Sequence, residues 1–386
     1  MMEPLGASQV LSYLYKLSND YEYYLISLEK QRDLADKIEF QKLQKVLKEK
    51  GIHWFPVTYK TSKVGKFLNL INFTRKSYSV IRNHNLVFIH CRSYVTAIAT
   101  YCIQKVIPVK YLFDTRNFSF DERADIGSLD REKLPYKIGK KLEKKLYVNS
   151  SGTVILSKIG KQTIEQNQLF KGGDELSNIE IIPTCVDLDR FSFHKRSYNM
   201  NQITIGYVGT AVGWYDFDKT MLTLAKIITQ INTVKLVVFN SDHHNQHSYI
   251  RKKLKEYNID PVRVTIEKVS FNDMPIRLKE IDIALFYIHP FFSKRASAAT
   301  KLGELLASGI PVLTNKDVGD HEYYINTYKV GKIVDFENLD NYDFRKELEE
   351  LNNEKTALRC RSLAEKYFSL DKGVSNYIKI YENIFK

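Results

Sequence analysis

The sequence predicts an α/β protein that contains two doubly wound domains. Short β-branched and aromatic runs alternate with amphipathic segments along the whole chain. Strand, helix and strand at this spacing produce parallel sheets with right-handed crossovers. A polar, aperiodic segment at 186–202 interrupts the alternation, and 386 residues are enough for two domains of ordinary size. We therefore expect one parallel sheet on each side of this segment.

The first series of strands lies in residues 1–190, which we assign to an N-terminal domain. It contains a predicted helix at 132–149 and the predicted strands "NLVFIH" (85–90), "VKYLFD" (109–114) and "GTVILS" (152–157). A doubly wound domain opens with an apolar strand before its first glycine-containing turn. Here "PLGASQVLSYLYKLS" begins at residue 4, so the turn and helix are predicted without that strand. A start assigned too late, a truncated chain and a fold that lacks the strand each account for this.

The second series follows a predicted linker at 191–202 and occupies residues 203–365. Its predicted strands are "ITIGYVG" (203–209), "VKLVVFN" (234–240), "VRVTIE" (262–267), "IDIALFYI" (281–288) and "PVLTN" (311–315). Residues 366–386 are predicted to form a final amphipathic helix. One broad face of this helix is apolar and contains Val374, Tyr377, Ile378, Ile380, Tyr381 and Ile384.

Composition indicates a globular protein of the cytoplasm. Hydrophobic residues make up 44% of the chain and charged residues 27%. No apolar run approaches the roughly 18 residues that span a bilayer, and "MMEPLGASQV" does not resemble a secretory signal. The four cysteines are far apart and form no CxxC pair, so we expect reduced, mostly buried thiols.

The charge is positive and uneven. The net charge is +13, and residues 51–113 contain Lys and Arg but no Asp or Glu. Such a surface suits an anionic partner, namely bilayer headgroups, a lipid phosphate or nucleic acid. A solvated, Lys-rich face explains the composition equally well. No nucleic-acid recognition motif is present, so we expect no nucleic-acid partner.

The most informative stretch is "SKRASAATKLGELLASGIPVLTN", residues 293–315. It predicts a helix that begins near Thr300 and ends at Gly309, after a loop at the carboxyl edge of the sheet. The first turn of a helix presents unpaired N–H groups and partial positive charge. Cationic and hydroxyl side chains surround this turn: Ser293, Lys294, Arg295, Ser297, Thr300 and Lys301. A diphosphate fits such a place without a metal ion, and Glu304 one turn later can accept hydrogen bonds from ribose hydroxyls. A cationic loop that merely caps a helix is the plainer alternative.

Five segments, in order along nearly the whole chain, resemble family-4 retaining glycosyltransferases of a bacterial surface-polysaccharide subgroup. They are "PLGASQVLSYLYKLS", "FDTRNFSFDERADIGSLD", "IIPTCVDLDRF", "YVGTAVGWYDFD" and "FFSKRASAATKLGELLASGIPVLTN" followed by "VGD". The resemblance implies the GT-B architecture, in which two Rossmann-like domains face each other across a cleft and the C-terminal helix returns to the N-terminal domain. It also implies sugar transfer from a nucleotide-diphosphate sugar, of UDP or GDP type, with no metal or other cofactor.

The resemblance assigns roles to residues of both domains. Asp114, Lys294, Lys301 and Glu304 are the implied catalytic residues. Donor-binding roles fall to Gly6, Ala7, Gly209, Thr210, Ser293, Arg295, Ser297 and Thr300, and the backbone of 269–272 is expected to contact the base. Arg116, Asp121, Glu122 and Arg123 lie on the implied acceptor side, although a local salt-bridged turn explains the last three equally well.

The implied biological role is the synthesis of a surface polysaccharide, such as capsule or lipopolysaccharide. The acceptor is then a glycan or a lipid-linked sugar. The basic N-terminal domain is expected to contact the inner face of the membrane as a peripheral protein.

The sequence departs from the wider family at three positions. The family has two glutamates separated by seven residues; the second matches Glu304, but Ala296 stands in place of the first. The turn "GTAVGWYDFDK" lacks the usual Arg, and Lys219 comes late. Asp114 stands where many members carry a His near the sugar. These departures leave two alternatives open: a degenerate, non-catalytic transferase that acts as a scaffold, and a sugar-nucleotide epimerase on the same fold.

Two possible metal motifs are unconvincing. "DLD" at 187–189 lies in a predicted linker rather than at the end of a strand. His243 and His247 have the spacing of a helical zinc pair, but no third ligand is apparent in the sequence. We therefore expect a site without metal.

Overall fold

The structure is a computed structural model that describes residues 1–166, 176, 178–240, 242 and 245–386, except for the side chains of Pro4 and Lys63. The helices are α1 (Pro4–Gly6), α2 (Ser12–Leu17), α3 (Gln31–Ala35), α4 (Lys37–Glu49), α5 (Lys63–Asn83), α6 (Tyr94–Gln104), α7 (Ser119–Asp125), α8 (Leu134–Asn149), α9 (Lys158–Glu165), α10 (Phe217–Gln230), α11 (Gln246–Glu256), α12 (Met274–Arg277), α13 (Thr300–Ala307), α14 (His321–Tyr328), α15 (Phe344–Leu351), α16 (Glu354–Leu363) and α17 (Leu370–Phe385). The strands are β1 (Tyr23–Lys30), β2 (Ile52–Tyr59), β3 (Phe88–Arg92), β4 (Lys110–Asp114), β5 (Gly152–Ile155), β6 (Ile179–Ile181), β7 (Thr204–Val208), β8 (Lys235–Asn240), β9 (Val264–Lys268), β10 (Ile283–Leu285), β11 (Val312–Thr314) and β12 (Gly331–Ile333). Short π-helical turns occupy Ala7–Leu11 and Ala364–Phe368.

The chain divides into two compact units. The first comprises Met1–Pro183 and Leu370–Lys386, and the second comprises Thr184–Ser369. Helix α17 therefore belongs to the N-terminal unit, as the sequence predicted. None of the helices in the described ranges is long and apolar enough to cross a membrane.

The strands of the first unit form two separate sheets among the described residues. Strands β1 and β2 pair in parallel, and β3, β4, β5 and β6 form a second parallel sheet in that order. In a doubly wound domain the opening strand lies centrally, between the second and the fourth. The described chain begins with α1 instead. The expectation that the opening strand is missing stays a prediction.

Helix α17 packs on the second of these sheets through its apolar face. Val374, Tyr377, Ile380, Tyr381 and Ile384 are buried, whereas Ile378 at the edge of the face is only half-buried. Both tyrosines of the helix also make polar contacts with residues of the sheet. The Tyr381 hydroxyl lies 2.7 Å from Nδ1 of His90, and the Tyr377 hydroxyl donates a 2.9 Å hydrogen bond to Oδ2 of Asp114. The helix thus fixes polar residues as well as apolar ones.

The second unit contains a doubly wound sheet in the described residues. Its order is β12-β11-β10-β7-β8-β9, with every pair parallel. The strand order reverses between β7 and β10, which makes this pair the topological switch point, where ligands bind outside the carboxyl ends of the strands. The four central strands, β7, β8, β10 and β11, are almost wholly buried on both faces, whereas the edge strands β9 and β12 are only partly buried.

The segment predicted as a linker is attached to the second unit. Nη2 of Arg196 donates a 2.6 Å hydrogen bond to the carbonyl of Gly309, and Nη1 donates to the carbonyl of Ile281. Upstream, the Val186 amide donates to the carbonyl of Phe368 at 2.7 Å. Contacts therefore divide the chain at Pro183 rather than within the predicted linker 191–202. The sequence of a polar, aperiodic segment does not reveal that one of its arginines donates hydrogen bonds to distant backbone carbonyls.

The predicted strands are all present, some of them shorter than their apolar runs. The run at 281–288, for example, contributes only Ile283–Leu285 to the sheet. Strands β1, β2, β6 and β12 were not predicted. Strand β2, "IHWFPVTY", includes a proline and is mostly half-buried, so neither an apolar run nor strict alternation marks it. None of the four cysteines, all of which lie in the described ranges, forms a disulfide, and three of them are buried, as expected.

Candidate functional site

The candidate donor site lies at the switch point of the second unit. Strand β7 leads into the turn at Gly209, and β10 leads into the loop that precedes α13. A short 3₁₀ turn, Phe292–Ala296, occupies this loop. Both connections leave the sheet at its carboxyl edge, as predicted.

Helix α13 has the predicted bounds. It begins at Thr300, and Gly309 follows its end with φ of +76°, the left-handed conformation that stops a helix. Ala299, which precedes the helix, makes no side-chain capping hydrogen bond. The side chain of Ala299 therefore does not compete with an anion for the amide groups of the first turn.

Lys301 lies against the turn that follows β7. A Cβ placed on Gly209 would lie 2.2 Å from Nζ of Lys301, and Gly209 has φ of +119°. The same ammonium group lies 5.7 Å from the ring centroid of Tyr215. The structure thus brings together the glycine turn and the lysine, which are far apart in sequence. A side chain at residue 209 would therefore displace the flexible end of Lys301 from this position.

Glu304 lies one turn after Lys301 and is half-buried. Burial raises the pKa of its carboxyl, while the positive charges of Lys301 and then Arg190 oppose the rise. Arg190 stacks over Phe271, with its Cζ 3.5 Å from the ring centroid, and donates to the Phe271 carbonyl. Arg190 was not predicted as a site residue, because its segment resembled only a lead into a linker. Phe271 lies in the segment expected to contact the base.

The other predicted donor residues lie on the 3₁₀ turn and just after it. Ser293 and Lys294 are buried, and Nζ of Lys294 lies 3.3 Å from the ring centroid of Trp214. Arg295 is exposed and stacks on Phe292, with 5.3 Å between Cζ and the ring centroid. Ser297 and Thr300 are half-buried.

Ala296, which stands where the sequence resemblance implies a first glutamate, is fully buried. A larger side chain at this position would need space within the packed loop. The substitution is therefore compatible with a packing role for residue 296.

Two polar residues that the sequence analysis missed hold the turn after β7. Nδ2 of Asn240 donates to the carbonyl of Gly209 at 2.5 Å, and Oε1 of Gln246 accepts from the Ala211 amide at 2.8 Å. Thr210, a predicted donor residue, donates its hydroxyl to the same Oε1 at 3.0 Å. The position of Asn240, a polar residue at the end of the buried strand "VKLVVFN", was the feature of the sequence that could have identified it.

In the first unit, Asp114 lies at the end of β4 and is fully buried. It accepts from Tyr377, and two guanidinium groups approach it: Arg92 at 3.3 Å and Arg116 at 3.5 Å. Nε2 of His90 lies 3.5 Å from Oδ2. Burial alone would raise the pKa of Asp114, but Arg116, His90 and Arg92 outweigh it and hold the pKa well below its usual range. The carboxylate is thus the centre of a charged cluster.

The side chains of Asp121, Glu122 and Arg123 lie in different environments. Asp121 is buried and accepts from Tyr136 at 2.6 Å and from Lys140 at 2.7 Å. Glu122 is half-buried and accepts from Asn117, whereas Arg123 is exposed. A buried Asp121 with two internal partners supports the alternative of a structural role for this residue.

Gly6 and Ala7 are helical rather than part of an open turn. Gly6 ends α1 with φ of −62°, and a Cβ there would lie 2.9 Å from the Met1 Cα. The close approach to Gly6 is therefore made by the chain's own N-terminal residue. Within the described ranges, no group of three or more His, Cys, Asp and Glu could hold a metal ion. His243 lies outside the described residues, so the predicted absence of metal stays a prediction.

Comparisons with known proteins give structural matches only. No protein-family profile matches the chain, and no curated protein matches it in sequence. Sucrose-phosphate synthase from Thermosynechococcus elongatus is 14% identical, with a TM-score of 0.68 over 94% of this chain and 98% of that one. Anabaena HepE in complex with UDP is 11% identical, with a TM-score of 0.67 over 96% of each chain. A glycosyltransferase from Rickettsia africae is 15% identical, with a TM-score of 0.61 over 95% of this chain and 99% of that one. These likenesses confirm the GT-B fold predicted from the sequence.

Proposed function

We propose that this protein is a glycosyltransferase that moves a sugar from a nucleotide-diphosphate sugar to a glycan or lipid-linked acceptor. The observation that carries the proposal is the position of Lys301 at the sheet's switch point, where it lies against Gly209 and its charge acts on the carboxylate of Glu304. Its neighbours in fold include a glycosyltransferase and HepE, which binds UDP. The proposal extends that ligand chemistry to this chain.

The donor's pyrophosphate fits the N-terminus of α13 and the Lys301 ammonium group. Both present positive charge where the leaving diphosphate gains negative charge, and such electrostatic stabilisation is usually the largest catalytic contribution. Ser293, Ser297 and Thr300 supply hydroxyl groups, and Lys294 and Arg295 supply further charge. No metal ion is required in this scheme.

Glu304 is suited to bind the donor ribose. A carboxylate accepts two hydrogen bonds from neighbouring hydroxyls in a bidentate manner. The charges of Lys301 and Arg190 favour its ionised form against the effect of burial. Arg190 also orients the Phe271 carbonyl, in the segment proposed to contact the base.

The proposed reaction retains the configuration of the anomeric carbon, as the sequence resemblance implies. The acceptor hydroxyl then attacks on the face from which the diphosphate leaves, and the leaving phosphate oxygen takes the acceptor proton. No side chain needs to act as a strong base. Asp114, which is fully buried among arginines, would act by positioning those arginines.

The finer proposal is that the acceptor is membrane-bound and belongs to surface-polysaccharide synthesis. Support comes from the first turns of α5, where Val64 is 70% exposed and Phe67 66% exposed. Lys60 and Lys66 flank these apolar side chains and are exposed. Exposed apolar residues beside lysines suit an anionic bilayer surface.

The donor site is tested by nucleotide binding and sugar transfer. Lys301→Ala and Glu304→Ala are expected to abolish transfer and to weaken UDP binding by about 10-fold or more, because each removes a charged contact. Lys235→Ala is the matched control, since Lys235 is exposed at the opposite end of β8. Calorimetry with UDP and GDP, and transfer from their glucose conjugates, provide the measurements.

The outcomes separate the competing functions. Near-normal transfer by both variants would show that the site is elsewhere. Wild-type protein that binds neither nucleotide nor nucleotide sugar would favour the scaffold. Release of an epimer without any acceptor would favour the epimerase.

A further inference from the structure

We propose that Arg92 and Arg116 bind an anionic group, a phosphate or a carboxylate, carried by the acceptor. This inference rests on the proposed function, because it names the chemical class of the second substrate. It concerns the carboxyl edge of the four-stranded sheet in the first unit.

Strand register brings Arg92 to Asp114. The two residues end β3 and β4 and are direct partners across the parallel pair. Nη1 of Arg92 lies 3.3 Å from Oδ2 of Asp114. Because parallel strands end at the same edge, both side chains lie where a doubly wound sheet binds its ligands.

Arg116 reaches the same carboxylate through an unusual backbone conformation. Its φ is +63°, in the left-handed region that residues with a side chain seldom occupy. Nη1 of Arg116 lies 3.5 Å from Oδ1 of Asp114. Such conformations persist where the surroundings impose them, and they are concentrated at functional sites.

The charges of this cluster do not balance. Among the described residues, Asp114 is the carboxylate that pairs with either arginine, so two positive charges face one negative charge. Burial and, next, the charge of Arg116 lower the pKa of Arg92. A bound oxyanion would neutralise the excess positive charge, and guanidinium groups match phosphate and carboxylate geometry.

Exposure directs the ligand to the arginines rather than to the carboxylate. The side chains of Arg92 and Arg116 are 27% and 13% exposed, whereas Asp114 has no exposed surface. Part of each arginine side chain is therefore open to solvent, whereas the carboxylate is not. Asp114 is a positioning residue, held in turn by the Tyr377 hydroxyl.

Binding of small charged probes tests the site apart from catalysis. Calorimetry would compare glucose 6-phosphate, glucuronate and glucose with the full chain. We expect saturable binding of at least one charged sugar and none of glucose. Tighter binding of glucose 6-phosphate would show that the site prefers a phosphate, and tighter binding of glucuronate would show that it prefers a carboxylate.

The variants assign the binding to the arginines. Arg92→Gln and Arg116→Gln should each weaken binding of the charged probe by about 10- to 100-fold, the usual effect of losing a charge-assisted hydrogen bond. Arg82→Gln is the control, because Arg82 is exposed and hydrogen-bonded to Tyr78. Arg92→Lys keeps the charge but not the guanidinium fork, and it provides the test if a glutamine variant does not fold.

Several results would overturn the inference. They are equal binding of glucose, no saturable binding of either charged sugar, and unchanged binding in the arginine variants. UDP binding by the same variants should stay normal, because the donor residues belong to the other unit. Failure of the wild type to bind either UDP or GDP would defeat the proposed function while leaving this binding result intact.

Discussion

Lys301 and Gly209 are 92 residues apart in the chain, yet the lysine ammonium occupies the space that a side chain at residue 209 would need. The contact joins the turn after β7 to the first turn of α13. It depends on the absence of a Cβ and on the positive φ of Gly209 together. These two requirements can be tested separately.

Gly209→Ala is expected to destabilise the second unit and to displace Lys301. The positive φ alone costs about 1–2 kcal/mol for a residue with a side chain. The clash with Lys301 adds a loss of nucleotide affinity. Gly213→Ala is a matched control, because Gly213 also has a positive φ, +81°, but open space around its Cβ position. Thermal unfolding and UDP calorimetry would measure both effects; equal UDP affinity of the two variants would contradict the role of the contact.

Asp114→Asn is expected to destabilise the first unit by about 3 kcal/mol at pH 7, because it leaves two half-buried arginines without a counter-charge. The folded pKa of Asp114 is lowered, so its stabilisation is complete above the unfolded pKa of about 3.9 and is lost as pH falls below it. The difference in the free energy of unfolding between the wild type and the variant should therefore become smaller as the pH falls from 5 to 2.

Urea unfolding would check this prediction for one unit at a time. In a Trp214→Phe background, Trp54 is the remaining tryptophan and reports on the first unit. Asp20→Asn, at an exposed position, is the control. A difference that did not change with pH would show that Asp114 acts by shape rather than charge.

His321 is expected to make the second unit sensitive to acid. Burial lowers its pKa from 6.5 to about 4, so the folded unit holds it neutral. The unfolded chain binds the proton more tightly, and stability is lost as pH falls from about 6.5 to 4, by up to about 3 kcal/mol. His321→Phe should remove this dependence. Urea unfolding of the Trp54→Phe protein, followed by the fluorescence of Trp214, provides the measurement. If His321→Phe left the pH dependence of the free energy of unfolding unchanged, His321 would not be the group responsible.

Charge reversal on the basic segment is expected to release the protein from anionic vesicles. The residues concerned are Lys60, Lys63, Lys66, Arg75 and Lys76, and the side chain of Lys63 lies outside the described residues. Each basic residue near a bilayer contributes about 1 kcal/mol, so a double variant such as Lys60→Glu with Lys66→Glu should weaken binding by 10-fold or more. Lys252→Glu with Lys255→Glu, on exposed positions of α11, makes the same charge change elsewhere.

Co-sedimentation with vesicles of phosphatidylserine and phosphatidylcholine would measure this binding. Phe67→Ser tests the apolar part of the contact separately. Equal retention of the Lys60/Lys66 variant and the Lys252/Lys255 control would show that the basic segment does not contact lipid.

Local sequence signals were enough to predict the elements that carry the proposed donor site. The bounds of α13 follow from an apolar helical pattern and from Gly309, whose backbone conformation ends the helix. The buried strands β7 and β8 follow from continuous apolar runs. Such features depend on a few neighbouring residues and are therefore visible in the chain itself.

Other assignments required the tertiary structure. Arg92 follows a predicted strand like any surface arginine, and only the register of β3 with β4 brings it to Asp114. Asp121 was placed on the implied acceptor side or in a local salt-bridged turn, but it is buried and hydrogen-bonded to Tyr136 and Lys140. The sequence around Arg190 resembled a lead into a linker, and only the folded chain places its guanidinium group over the ring of Phe271.

The sequence by itself determined the alternation of strands and helices, the two-domain α/β class and the cationic stretch before α13. The tertiary structure decided which charges meet, which glycine must lack a side chain and which carboxylates are buried. The reason is physical: propensity and periodicity act over a few residues, whereas the energy of a charge depends on groups that only the folded chain brings within a few ångströms.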